Sequence, residues 1–94
     1  MNMIKTWKHK GLKQFYLSGS KSGIQPVHAR RLKIILQLLD IAETPDHMNL
    51  PGMDFHSLKG ELTGYYSVTV NGNWRIIFKF EKQDAILVNY LDYH

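Results

Sequence analysis

The apolar positions of this chain change rhythm once along its length. In the first half they recur at helical spacing: Leu12, Phe15 and Tyr16 fall at i, i+3 and i+4, and Leu32, Ile35, Leu36 and Leu39 form a second stripe of the same period. In the second half they alternate, from Tyr65 to Val70 and again from Asn73 to Phe80, while Ala85 to Leu91 is apolar on both faces. Helices first and strands afterwards predict an α+β fold, two N-terminal helices on one face of a small, mainly antiparallel sheet.

Local signals set the boundaries. Met3 to Trp7 reads as a short opening strand, and a helix is expected from about His9 to Leu17 with Gly19 as its C-cap. Pro26 suits the first turn of a second helix, which should end before the Thr44-Pro45 pair. Asn71-Gly72 predicts a two-residue type I′ hairpin turn, and Glu81 to Asp84 connects to the last strand. With Val70 opposite Asn73 and Phe80 opposite Ala85, the residues Trp74, Ile76, Phe78, Phe80, Leu87 and Leu91 share the face that meets the helices. The other face then carries Tyr66, Val68, Arg75, Ile77, Val88, Tyr90, Asp92 and His94, an assignment that one residue of slip would invert.

Ninety-four residues, 44% hydrophobic and 21% charged, fit one globular domain spanning residues 1–94 and exclude a two-domain enzyme. No apolar run is long enough for a membrane span and no export signal is evident, so a cytoplasmic location is expected. The absence of cysteine excludes thiolate nucleophiles, disulfides and cysteine-based zinc sites. No Gly-rich phosphate loop or nucleophile elbow occurs, and the histidine spacings do not match a zinc site, so neither a metal nor a cofactor is expected. His9 and His28 are expected on solvated helix faces.

Charge adds a direction. Met1–Asp40 carry eight Lys/Arg and one acid, net +7, whereas Ile41–His94 carry four and seven, net −3. The basic half, with Lys5, Lys8, Lys10, Lys13, Arg30, Arg31 and Lys33, points to a polyanion or an acidic partner protein. The acidic half holds the candidate chemistry. His56, Lys59, Arg75, Asp92 and His94 are the minimum set for cleaving RNA without a metal: a base for the 2′-hydroxyl, an acid for the leaving oxygen and fixed positive charge for the phosphorane. Tyr93 offers a ring on which an unstacked base could lie.

Lys8-His9-Lys10-Gly11-Leu12, Leu50-Pro51-Gly52, His56-Ser57-Leu58-Lys59-Gly60, Val70-Asn71-Gly72-Asn73-Trp74-Arg75-Ile76 and the closing Asn89-Tyr90-Leu91-Asp92-Tyr93-His94 together resemble the HigB toxins of the RelE/ParE superfamily. The resemblance implies a βααβββ arrangement and ribosome-dependent cleavage of mRNA in the 30S A site. It also implies neutralisation by a HigA-type helix-turn-helix antitoxin, through which alone the toxin meets operator DNA. His56, Lys59, Arg75, Asp92, Tyr93 and His94 match the family's functional positions. The working assignment makes His56 the base and His94 with Asp92 an acid and orienting pair, and it gives the basic helices to ribosomal RNA. Two other readings stay open: a ParE-like gyrase inhibitor without RNase activity, and an inactive partner of a transcriptional regulator.

Overall fold

The computed structural model describes residues 4–93; Met3 of the expected opening strand and His94 of the candidate set lie outside the described residues. Helix α1 spans Lys10–Ser18 and α2 spans Ala29–Ile41, the latter entered through a 3-10 turn at Pro26–His28. A four-stranded antiparallel sheet follows in the order β1 (His56–Ser57), β2 (Tyr66–Asn71), β3 (Trp74–Glu81) and β4 (Asp84–Asp92). The expected α+β architecture is therefore present. Among the described residues, no helix is long and apolar enough to cross a membrane.

Helix α1 forms where its polar ends are satisfied. Nδ1 of His9 accepts the Leu12 N–H at 2.9 Å and so caps α1, and at the far end the Gly19 N–H donates to Phe15 O at 2.8 Å. The predicted stripe of Leu32, Ile35, Leu36 and Leu39 is fully buried and meets Leu12, Phe15, Val68, Ile76, Phe78 and Val88 in one core. Full burial of an aliphatic or aromatic side chain stabilises by about 1.5–3 kcal/mol. The start of α1 is held against the following loop so closely that a Cβ on Gly11 would lie 2.5 Å from Gly23 O. Only glycine fits there. Asp40, at the end of α2, accepts from Ile4 N–H at 2.9 Å and from the Tyr16 hydroxyl at 3.0 Å. Burial, followed by this carboxylate, pushes the Tyr16 phenol up to about 12.

The opening segment is not a regular strand. It touches β4 in parallel at two bridges, Ile4 with Ala85 and Trp7 with Val88, through backbone bonds from Lys5 to Ala85 O and Lys8 to Val88 O. Thr6 makes the contact that matters most. Its hydroxyl accepts the Leu87 N–H at 2.7 Å and its carbonyl accepts the Val88 N–H at 3.1 Å.

Two β-bulges correct the expected register. The first hairpin turns on Gly72-Asn73 rather than Asn71-Gly72, with Asn71 opposite Trp74 and Val70 the extra residue. Gly72 has φ 58° and Asn73 a negative φ, the pattern of a type II′ turn and not of the expected type I′. On the last pair, Lys79 faces Ile86 but Ile77 faces Asn89, so Leu87 and Val88 together oppose Phe78. Leu87 takes φ 54°, a left-handed conformation costly for leucine, and Thr6 holds it there.

The faces change accordingly. Trp74, Ile76, Phe78 and Phe80 meet the core as expected, but their partners are Val68, Val88 and Tyr90, not Leu87 and Leu91. Tyr66, Val68, Val88, Tyr90 and Asp92 thus share the helix-side register instead of lying away from it. His28 is also corrected: it is 5% exposed, and its Nδ1 lies 2.7 Å from the Tyr90 hydroxyl with Trp74 edge-on.

Candidate active site

The face of the sheet turned from the helices is organised in rows. Antiparallel pairing aligns His56, Ser67, Ile77 and Asn89 across the four strands, and the next row holds Thr69, Arg75 and Leu91. At the centre Ser67 and Ile77 are buried, while His56 at the edge is exposed. His56 and Arg75 therefore share a face, two strands and two residues apart, about 12 Å between Cα atoms for ordinary strand spacings.

His56 is oriented by the chain just before it. Its Nδ1 lies 2.9 Å from the backbone carbonyl of Asp54 and 3.7 Å from the Asp54 carboxylate. A carbonyl only accepts, so Nδ1 carries the proton and Nε2 presents its lone pair outward when the ring is neutral. Asp54 is itself held with φ 50° by a bond from the Thr69 hydroxyl to its carboxylate at 3.3 Å. Sequence reasoning missed both residues. Their part depends on a loop carbonyl and a left-handed backbone, neither of which leaves a mark in residue type.

Arg75 folds back over the hairpin. Its Nη1 donates to Gly72 O at 2.7 Å and to Trp74 O at 3.2 Å, and among the described residues no carboxylate pairs with it. The guanidinium is thus pinned by neutral carbonyls and keeps its charge available to an anion.

The terminal residues divide. The Leu87 bulge places Asp92 opposite Trp74, in register with the helix side, and Tyr93 follows in the alternation of Arg75 and Leu91. The Tyr93 N–H donates to Asn73 O at 2.8 Å, which ties the tail to the hairpin turn, and its ring is 38% exposed. Strict alternation without the bulge sends Tyr93 the other way; with it, Tyr93 and Arg75 share a side. His94 lies beyond the described residues.

Lys59 stands apart. It follows the Leu58–Tyr65–Lys79 row at the far end of the sheet, roughly five residues or about 17 Å along the strand direction from Arg75. The structure brings Arg75 and Tyr93 to one end, sets His56 between, and leaves Lys59 at the other.

The basic residues also separate. Lys8, Lys10, Lys13, Arg30 and Lys33 are exposed, but Lys5 pairs with Asp84 at 3.2 Å. Arg31 donates through Nη2 to Gly52 O at 2.7 Å and Thr69 O at 3.1 Å, fastening α2 to the loop that leads to His56. No cluster of three or more His, Asp or Glu that could hold a metal ion occurs among the described residues.

Known proteins resemble this chain over nearly its whole length. A family model described as "RelE-like toxin of type II toxin-antitoxin system HigB" matches residues 5–94. The chain is 44% identical over 92 residues to a Proteus vulgaris protein named Endoribonuclease HigB, covering 98% of this chain and all of that one. It is 34% identical over 95 residues to Toxin HigB-1 of Vibrio cholerae serotype O1, covering 98% of each.

Proposed function

Because the chain belongs to the HigB family of RelE-like toxins of type II toxin–antitoxin systems, we propose that it is an endoribonuclease that cuts mRNA in the ribosomal A site without a metal ion. The observation that carries this reading is the full-length match to a protein named an endoribonuclease. A cationic group and an outward imidazole lone pair on one sheet face support it chemically.

In the proposed reaction Nε2 of His56 takes the proton of the 2′-hydroxyl, and the resulting oxyanion attacks the adjacent phosphorus. The phosphorane is stabilised by Arg75, whose position is fixed before substrate arrives. The 5′-oxygen leaves with a proton from His94, and the products are a 2′,3′-cyclic phosphate and a 5′-hydroxyl; Asp92, in register with the helix side, is set apart from the face that holds His56 and Arg75. Tyr93 stacks on a base of the codon, and Lys59, at the distant end of the face, contacts a neighbouring phosphate instead of the reacting one.

The partners follow from the same reading. The family implies an antitoxin, here proposed to be of the helix-turn-helix HigA type. Lys8, Lys10, Lys13, Arg30 and Lys33 hold ribosomal RNA, whereas Lys5 and Arg31 are engaged within the fold and contribute less. The site of action is cytoplasmic.

Primer extension on messages from cells induced for the protein tests the reading. Cuts inside codons, confined to translated regions, are expected. Intact message accompanied by DNA breaks would instead favour gyrase inhibition, and normal growth after induction would favour an inactive partner.

A further inference from the structure

The sheet face that holds His56 and Arg75 continues along β3. Arg75, Ile77 and Lys79 alternate onto one side, and Glu81, exposed at the end of the strand, closes the row. Four residues of strand separate Arg75 from Lys79, about 13 Å between Cα atoms, so they stand in different reaches of any polymer laid along the face. One phosphate cannot span them.

The Lys79 ammonium is seated in the fold. Tyr65 lies beside it, one residue outside the Tyr66–Phe78 pair, and Nζ stands 4.9 Å from the centre of the tyrosine ring. Gly64 leaves room for the head of the side chain: a Cβ there would come within 3.4 Å of Lys79 Cε and 3.5 Å of Nζ. Tyr65 is buried and Lys79 partly so. The Leu58 N–H donates to Tyr65 O at 2.8 Å, which brings Lys59 to the same end of the face.

This cation is also uncompensated. Among the described residues, no carboxylate lies within ion-pair distance of Lys79, and the ring contact leaves ammonium N–H groups able to donate to an oxygen anion. A free surface lysine loses rotamer freedom when it meets an anion, whereas one already resting on an aromatic ring loses less. That is the difference between a solvated charge and a prepared site.

We propose that Lys79, seated on Tyr65, binds a backbone phosphate of the message other than the one cleaved. The proposal rests on the reading of the chain as an RNA-cutting toxin, with Arg75 at the reacting phosphate. It is decided by binding, so it is tested without cleavage.

Ribosomes are programmed with a message whose cleaved nucleotide carries a 2′-O-methyl group, which blocks the attack, and the affinity of the parent, Lys79→Gln and Lys79→Arg is measured by fluorescence anisotropy. Each phosphate flanking the scissile one is then replaced in turn by an uncharged methylphosphonate. On the natural backbone Lys79→Gln is expected to bind about tenfold more weakly, and Lys79→Arg, which keeps both the charge and the ring contact, about as tightly as the parent. One methylphosphonate position should cost the parent about tenfold and cost Lys79→Gln nothing further, because the partner is already gone. Parental affinity in a Lys79→Gln variant with the parent's circular dichroism spectrum would overturn the proposal, as would equal losses for both proteins at every position. Should Lys79→Gln fail to fold, the parent's own scan decides: tolerance of methylphosphonate at every flanking position overturns it. Cutting of the unmodified message is measured separately, and a parent that binds but does not cut would sink the nuclease reading while leaving the Lys79 result standing.

Discussion

Replacing His56 by Gln separates chemistry from folding more cleanly than any other change at the site. The side chain is 62% exposed, and its described polar contacts are with Asp54. Removing an exposed, singly bonded group costs at most about 1 kcal/mol of stability. Against this, a placed general base is worth about 10²- to 10⁴-fold in rate, or roughly 2.7–5.5 kcal/mol of barrier. The two effects differ enough to be read apart. Single-turnover cleavage of an A-site codon on purified ribosomes, with toxin in excess, should slow by that factor while ribosome affinity stays within about twofold. Thermal unfolding should shift by no more than the 4–8 °C that about 1 kcal/mol produces in a domain of this size. Asp54→Asn supplies the control: position 54 holds the imidazole through its backbone carbonyl, which asparagine retains, so cleavage should stay within about tenfold of the parent. A folded His56→Gln variant that cuts within about tenfold of the parent would refute the assignment of His56 as base. Equal losses in both variants would refute the argument that the carbonyl, not the carboxylate, sets the ring.

Two further predictions concern the scaffold. Burial lowers the His9 pKa, and the cap needs an Nδ1 lone pair that the protonated ring lacks, so the unfolded chain binds the proton more readily than the folded one. Stability from this group should be complete above pH 6.5 and decline as pH falls through that value; His9→Asn, which retains a capping oxygen, should flatten the decline in urea midpoints, and an unchanged pH profile would exclude the cap as its source. Arg31→Ala should cost about 1.5–3 kcal/mol, because it frees two carbonyls from one guanidinium, whereas Arg30→Ala should stay within about 0.5 kcal/mol; equal urea midpoints for the two would contradict the structural role of Arg31.

Whatever rests on short-range physics was legible in the chain itself. Helical spacing located the Leu32–Leu39 stripe, the turn residues placed the first hairpin to within one residue, and the chemistry of imidazole and guanidinium singled out His56 and Arg75 as candidates. His28 was misread as solvated because a histidine beside arginines resembles a surface residue. Its burial depends on Tyr90, 62 positions away. The largest decision was tertiary. Period-two alternation runs on unchanged through any strand and contains no signal for an inserted residue, and no glycine announces the left-handed turn at Leu87. That bulge exists because Thr6, 81 positions earlier, binds the Leu87 amide. One extra residue exchanges the two faces of the strand beyond it, and so a contact between distant segments put Tyr93 on the same side of the sheet as Arg75 and Asp92 on the other.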